Sequence, residues 1–218
     1  SFGLPESHPG TDSAVRAAIE ALRAAGAVVD EVSVPWHRHG FAIWSAIANE
    51  GTYHTLYGGQ GAGHLTTGAY PLSLMTALGG LRARANEMPH TLKIGMLLGA
   101  YLHQQYQGRF YAKAQNLRRR LRAAYDEALD GRELLLMPTT PFPTLPIPSD
   151  DAPVAEVIQH SWTMLANTSP FDLTGHPAVS VPCGEADGKP VGLMLIGRHF
   201  DDALVLRAAA DHERRHAG

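Results

Sequence analysis

The chain has 218 residues, a formal net charge of −3 and 44% hydrophobic residues. That is enough for one large domain or a portion of a bigger one, and the charge speaks against a nucleic-acid partner or an anionic membrane surface. No run reaches the roughly 18 consecutive apolar residues of a membrane span, the opening SFGLPESHPG lacks the basic and apolar regions of a signal peptide, and the single cysteine, Cys183, excludes an internal disulfide and fits a reducing, cytoplasmic setting.

In chain order, Ser1–Gly10 reads as irregular. Thr11, Asp12 and Ser13 offer N-cap oxygens to a helix whose stripe is Val15, Ile19 and Leu22, closed by Gly26. Ala27–Val34 (AVVDEVSV) reads as a strand ending before Pro35. Phe41–Gly51 predicts a helix carrying Trp44 and Glu50. Gly58–Gly63 is a loop, and it is no phosphate loop because no Gly-Lys-Ser/Thr follows. Leu72–Ala85 and Lys93–His103 read as helices joined by Asn86–His90. Tyr106–Leu129 is the longest helix expected, with Phe110, Ala114, Leu117, Leu121 and Ala124 on its apolar face. The arginines at 118, 119, 120 and 122 lie on its other faces, where solvation or ion pairing is the ordinary fate of such a cluster.

Three short apolar runs follow: Leu134–Met137, Ala178–Pro182 and Val191–Ile196. Each is bounded by Pro or Gly, as a buried strand should be. A proline-rich loop leaves the first run, and proline makes such a loop stiff. Helices are expected near Ala155–Ala166 and from Asp201 to Arg214. The alternation predicts an α/β fold, a mixed β-sheet covered by helices on both faces.

The chemistry is less complete. Serine is inert until a base activates it, and there is no Gly-x-Ser-x-Gly elbow and no Ser-x-x-Lys. The three lysines, Lys93, Lys113 and Lys189, lie away from any Gly/Ser-rich run. Ser180 sits mid-strand and reads as structural. Ser169, Asp172 and His176 are too close in sequence to assemble as most triads do. The twelve histidines form no HExxH, and His37 and His39, which flank Arg38, have no thiol or carboxylate cluster near them, so the histidines read as surface or hydrogen-bonded residues and no metal is expected. His176, in Gly175-His176-Pro177, is a turn residue with a satisfied ring or a pocket-lining one. Cys183 reads as a small buried hydrophobe.

Several strings together resemble the amidase signature family. Gly26-Ala27-Val28-Val29-Asp30-Glu31-Val32, with Pro35, resembles its GAxVxEVxxP element. Tyr111-Ala112-Lys113-Ala114-Gln115 resembles its YxKAQ helix, and Leu136-Met137-Pro138-Thr139-Thr140-Pro141 its PTTP strand end. Asn167 through Gly184 resembles the stretch ending GxPAxSVPxG, and Gly188 through Gly197 the GxPxGLQxIG strand pair.

The resemblance implies the C-terminal part of an amide hydrolase, with 1–218 an incomplete portion of a single domain. The family's Ser–cis-Ser–Lys triad implies an acyl-enzyme route without metal or organic cofactor. None of the triad's strings matches here, and Lys113 corresponds to a helix residue. The chain alone is therefore expected to be inactive and to need the missing N-terminal half as partner, with a homodimer open to the completed enzyme. This part is expected to wall the acyl pocket through Trp44, Tyr57, Leu165, Asn167 and His176. Where amidotransferase members carry an Arg for the substrate carboxylate and an acidic residue for its amino group, the chain has Tyr57 and Leu165, which favours a small uncharged amide. The alternative is a non-catalytic fragment or an amidotransferase-type subunit that scaffolds a partner. A fragment should expose apolar strand faces, for instance around Leu134–Met137.

Overall fold

A computed structural model describes residues 7–59 and 68–216. The chain divides into two compact units. Unit 1 comprises Ser1–Phe41, Arg118–Ile147 and Trp162–Gly218; unit 2 comprises Ala42–Leu117 and Pro148–Ser161.

Unit 1 is built on a three-stranded sheet: β1 (Leu134–Pro138), β2 (Ala178–Ala186) and β3 (Lys189–Gly197), in the order β1-β3-β2. All three apolar runs are strands, as their patterning predicts. Both pairings are antiparallel, so among the described residues the sheet has no parallel member. β2 and β3 form a hairpin over Asp187-Gly188, with φ of +53° and +69°, the left-handed pair that a two-residue turn of matching twist demands. A bulge near Cys183 lets Pro182, which has no N–H to give, sit in the strand.

One face of the sheet carries Val179, Val181, Val191, Leu193 and Leu195, with Leu134 and Leu136 packed beside them. It is covered by Val15 and Ala18 of α1 (Pro9–Ala24) and Ala209 of α8 (Asp202–His216). On the other face Leu135, Met194 and Ile196 are buried, whereas Ala178, Ser180 and Pro182 of β2 are exposed. Leu134–Met137 are buried or half-buried, so this strand does not show the open apolar face expected of it.

Two expectations change in the N-terminal stretch. α1 starts earlier than its Ser/Thr signals suggest: the ring of His8 accepts from the Gly10 amide at 3.2 Å, and Thr11 is buried inside the helix. Ala27–Val34 is not a strand. Val28 is fully exposed, and the segment is held instead by Asp30, whose carboxylate takes a bidentate grip from Arg132 at 2.5–3.1 Å. Alternating valines favour extension, but a strand exists only where a neighbour supplies the ladder.

α5 (Arg109–Ala128) crosses from unit 2 into unit 1. Its buried positions are Ala114, Leu121, Tyr125 and Ala128, while Phe110 is exposed. Arg119, Arg120 and Arg122 are exposed, as a solvated face requires. α7 (Ser169–Thr174), a short helix with no apolar periodicity to announce it, precedes β2.

Unit 2 is helical. α2 (Gly40–Thr52) runs into a wider turn at Tyr53–Gly58, and the loop expected at Gly58–Gly63 lies mostly outside the described residues. α3 (Leu72–Gly79) ends at Gly80, so the helix expected to Ala85 breaks there into a tighter turn, Leu81–Glu87. α4 (His90–Tyr106) packs so closely on α2 that a Cβ at Gly99 would lie 2.1 Å from the Asn49 carbonyl oxygen. Only glycine permits that crossing. α6 (Val154–Thr163) leaves the proline-rich loop. No helix of the described residues is long and apolar enough to cross a membrane.

Candidate functional site

The five residues expected to wall a pocket fall into both units. Trp44 and Tyr57 belong to unit 2; Leu165, Asn167 and His176 belong to unit 1. Trp44 is half-buried on α2. Tyr57 is exposed, stacks on Tyr53 at 5.6 Å between centroids and carries the Arg82 guanidinium 4.2 Å above its ring. Arg82 also donates to the Tyr57 carbonyl. Leu165 is half-buried in the turn after α6.

Asn167 has no exposed surface. Its Nδ2 donates to the Pro138 carbonyl at 2.8 Å, and its Oδ1 lies 3.1 Å from His37 Nε2. His37 Nδ1 in turn lies 2.6 Å from the Tyr125 hydroxyl. Burial pushes His37 down to about 4, so its ring is neutral near pH 7, and burial pushes the Tyr125 phenol up. One assignment of protons satisfies every member: Tyr125 O–H donates to Nδ1, Nε2–H donates to Asn167, and Asn167 donates to Pro138. The relay runs from α5 to the end of β1 and holds the Pro138 carbonyl, next to Thr139-Thr140-Pro141. Asn167 thus faces the interior of unit 1.

His176 is buried beside a second group. Its Nδ1 is 2.9 Å from Thr174 Oγ1, and its Nε2 is 3.2 Å from Asp126 Oδ1. His199 stands next to it, ring centroids 4.2 Å apart. Burial, then the neighbouring His199, lowers the pKa of His176, and Asp126 works against them. Asp126, His176 and His199 bring one donor atom each within 4.8 Å of one another, as do Glu50, His54 and His103 in unit 2. Glu50 is 1% exposed and accepts from the Tyr111 amide at 3.0 Å, in the first turn of α5. A helix N-terminus is a favourable place for a carboxylate.

Beyond β1, Thr139 Oγ1 and Ser180 Oγ lie 2.6 Å apart on the open face of the sheet. A Cβ at Gly192 would come within 2.8 Å of both oxygens, so the glycine makes room for the pair. Each hydroxyl has the other as its partner rather than a base, and Ser180 remains an unactivated hydroxyl. Cys183 is buried in the core and its thiol is pushed up to about 11 by that burial, so it is an inert apolar filler, as its strand context suggests.

The His37 relay and the Asp126 cluster escaped sequence reading. Their members come from segments up to 130 positions apart, and no spacing rule reaches that far. The proline-bounded strand ends were the sole signal, since they mark where chain segments converge.

Comparison with known proteins supplies the rest. The Amidase family model matches residues 1–206. An enantioselective amidase of Rhodococcus rhodochrous is 40% identical over 211 residues, covering 96% of this chain and 41% of the relative. A Rhodococcus erythropolis protein described as uncharacterized, in the nthA 5′ region, is 41% identical over 177 residues, 81% of this chain and 89% of that protein. Among solved structures, a glutamyl-tRNA(Gln) amidotransferase subunit of Thermotoga maritima aligns with a TM-score of 0.62 at 26% identity, covering 93% of this chain and 38% of that one. The chain thus spans about two fifths of the enantioselective amidase and of the Thermotoga protein. With the matched strings running from the Ala27 segment to the β2–β3 hairpin, the chain belongs to the amidase family, the amidase signature enzymes.

Proposed function

We propose that residues 1–218 are the C-terminal portion of a single amidase domain that hydrolyses a small uncharged carboxylic amide to the carboxylate and ammonia or an amine. The observation that carries this reading is the family match over residues 1–206 together with 40% identity to the enantioselective amidase. In this reading the nucleophilic serine, the bridging serine and the lysine come from polypeptide outside these residues. This portion supplies the core sheet and the acyl-pocket walls. The exposed Ala178, Ser180 and Pro182 of β2 support it, because a sheet face of small residues suits close packing by another layer. Trp44, Tyr57 and Leu165 serve as walls, while Asn167 and His176 act from behind the surface by holding strand ends. The free buried thiol of Cys183 accords with a cytoplasmic location.

The test compares ammonia release from short aliphatic and aromatic primary amides by the isolated chain and by the full-length protein. The expected result is hydrolysis by the full-length protein alone. Turnover by the isolated chain, or none by either, overturns the reading. Trp44→Ala in the full-length protein should change the preference between aliphatic and aromatic amides; an unchanged ratio takes Trp44 out of the pocket.

One observation favours the second reading, an amidotransferase-type subunit. Tyr57 occupies the position aligned with a carboxylate-binding Arg, yet the Arg82 guanidinium sits over its ring. A positive charge is thereby restored to the neighbourhood by another segment. Arg82→Gln separates the two readings: it should leave uncharged amides untouched and impair only substrates bearing a carboxylate.

A further inference from the structure

Asp126, His176 and His199 converge from three segments of unit 1: α5, the turn before β2 and the loop after β3. His176 Nε2 and His199 Nε2 lie 3.2 and 3.7 Å from the same oxygen, Asp126 Oδ1. A tetrahedral site with bonds of about 2.0–2.1 Å places its donor atoms about 3.4 Å apart, and the two edges straddle that spacing. His199 Nε2 is shut off from solvent and, among the described residues, has no hydrogen-bond partner. A buried imidazole nitrogen facing a carboxylate at that distance is unsatisfied, and a cation between the two would satisfy both.

The supports are also in place. Thr174 Oγ1 engages His176 Nδ1 at 2.9 Å and so orients the ring. The end of β3 is tied to the His176 turn by Gly197 N–H donating to the Pro177 carbonyl at 2.9 Å. Arg198 anchors the His199 loop by donating to the Leu129 and Arg132 carbonyls. Arg122 competes for the carboxylate, but its Nε lies 3.8 Å from the other oxygen, Oδ2 of Asp126. Asp126 is half-exposed, so water can complete a fourth position.

We propose that Asp126 Oδ1, His176 Nε2 and His199 Nε2 bind one divalent transition-metal ion of the zinc–cobalt–nickel kind, which staples α5 to the turns flanking β2 and β3. Two imidazoles and one carboxylate suit such ions rather than calcium or magnesium, which prefer all-oxygen shells.

The full-length protein is stripped with chelator and titrated with Co2+ alone, following the visible d–d band, and Zn2+ is then added to displace it. The expected result is one equivalent bound in wild type, with affinity at least about tenfold weaker in both His199→Gln and Asp126→Asn. His103→Gln, which alters the other histidine group, should leave the band unchanged. Zn2+ should raise the thermal midpoint of wild type and not of the two variants. If His199→Gln loses its native circular dichroism, Asp126→Asn decides alone. Absence of a band in wild type, undiminished binding in Asp126→Asn, or loss only in His103→Gln would overturn the proposal.

Discussion

Tyr125 and Asp126 are neighbours on α5, yet each opens a different kind of polar site. The Tyr125–His37–Asn167–Pro138 relay is closed, with each buried donor aimed at an acceptor. The Asp126–His176–His199 group is open, with a shielded nitrogen that has no hydrogen-bond partner among the described residues. The residue types are almost the same. The difference lies in hydrogen-bond accounting: a satisfied buried network rigidifies, whereas an unsatisfied one marks where something else is meant to bind.

The contrast breaks most readily at Asn167. Asn167→Ala leaves His37 Nε2–H and the Pro138 carbonyl without partners in a site closed to water. At about 1–3 kcal/mol per stranded group, the loss should be about 4 kcal/mol. It should appear as a lower denaturation midpoint of the protein with an unchanged slope. An effect under about 1 kcal/mol would mean that the relay is not closed.

Acid sharpens the same point. Burial lowers His37 from 6.5 to about 4 in the folded state. The unfolded chain therefore binds the extra proton first as pH falls. The stability held by neutral His37 is complete above pH 6.5, erodes between pH 6.5 and 4, and is gone below that, a total of about 3 kcal/mol. Stability against pH for wild type and for His37→Gln should diverge in that window.

Tyr125→Phe is a smaller break. It strands only one lone pair on His37 and should cost about 1.5 kcal/mol by the same denaturation assay. The smallest effect is expected on the open side. Asp126→Asn, with chelator present, removes a half-exposed carboxylate whose pairs contribute little, and should shift stability by less than about 0.5 kcal/mol. A large loss there without metal would make the cluster a structural network like its neighbour.

Much of the frame was legible in the residues. Proline and glycine delimited the three strands, while the Asp187-Gly188 turn that joins two of them into a hairpin, with both residues left-handed, emerged only in the fold. The stripe on α1 showed which side meets the sheet. Ala27–Val34 misled for a reason internal to β-structure: its valines state a preference for extension, and only a neighbouring strand converts the preference into a ladder. Trp44, Tyr57 and Leu165 could be singled out by resemblance, while Arg82 over Tyr57 could not, because a segment 25 positions along the chain brings it there.

Local propensity, periodicity and strings read in order were thus enough for most of the elements and the family. They were not enough for the two polar sites. That His37 is locked and neutral, while His199 is left with an unused nitrogen, follows from which side chains meet across tens to more than a hundred residues and from how little water reaches them. Those are properties of packing, and no window along the chain contains them.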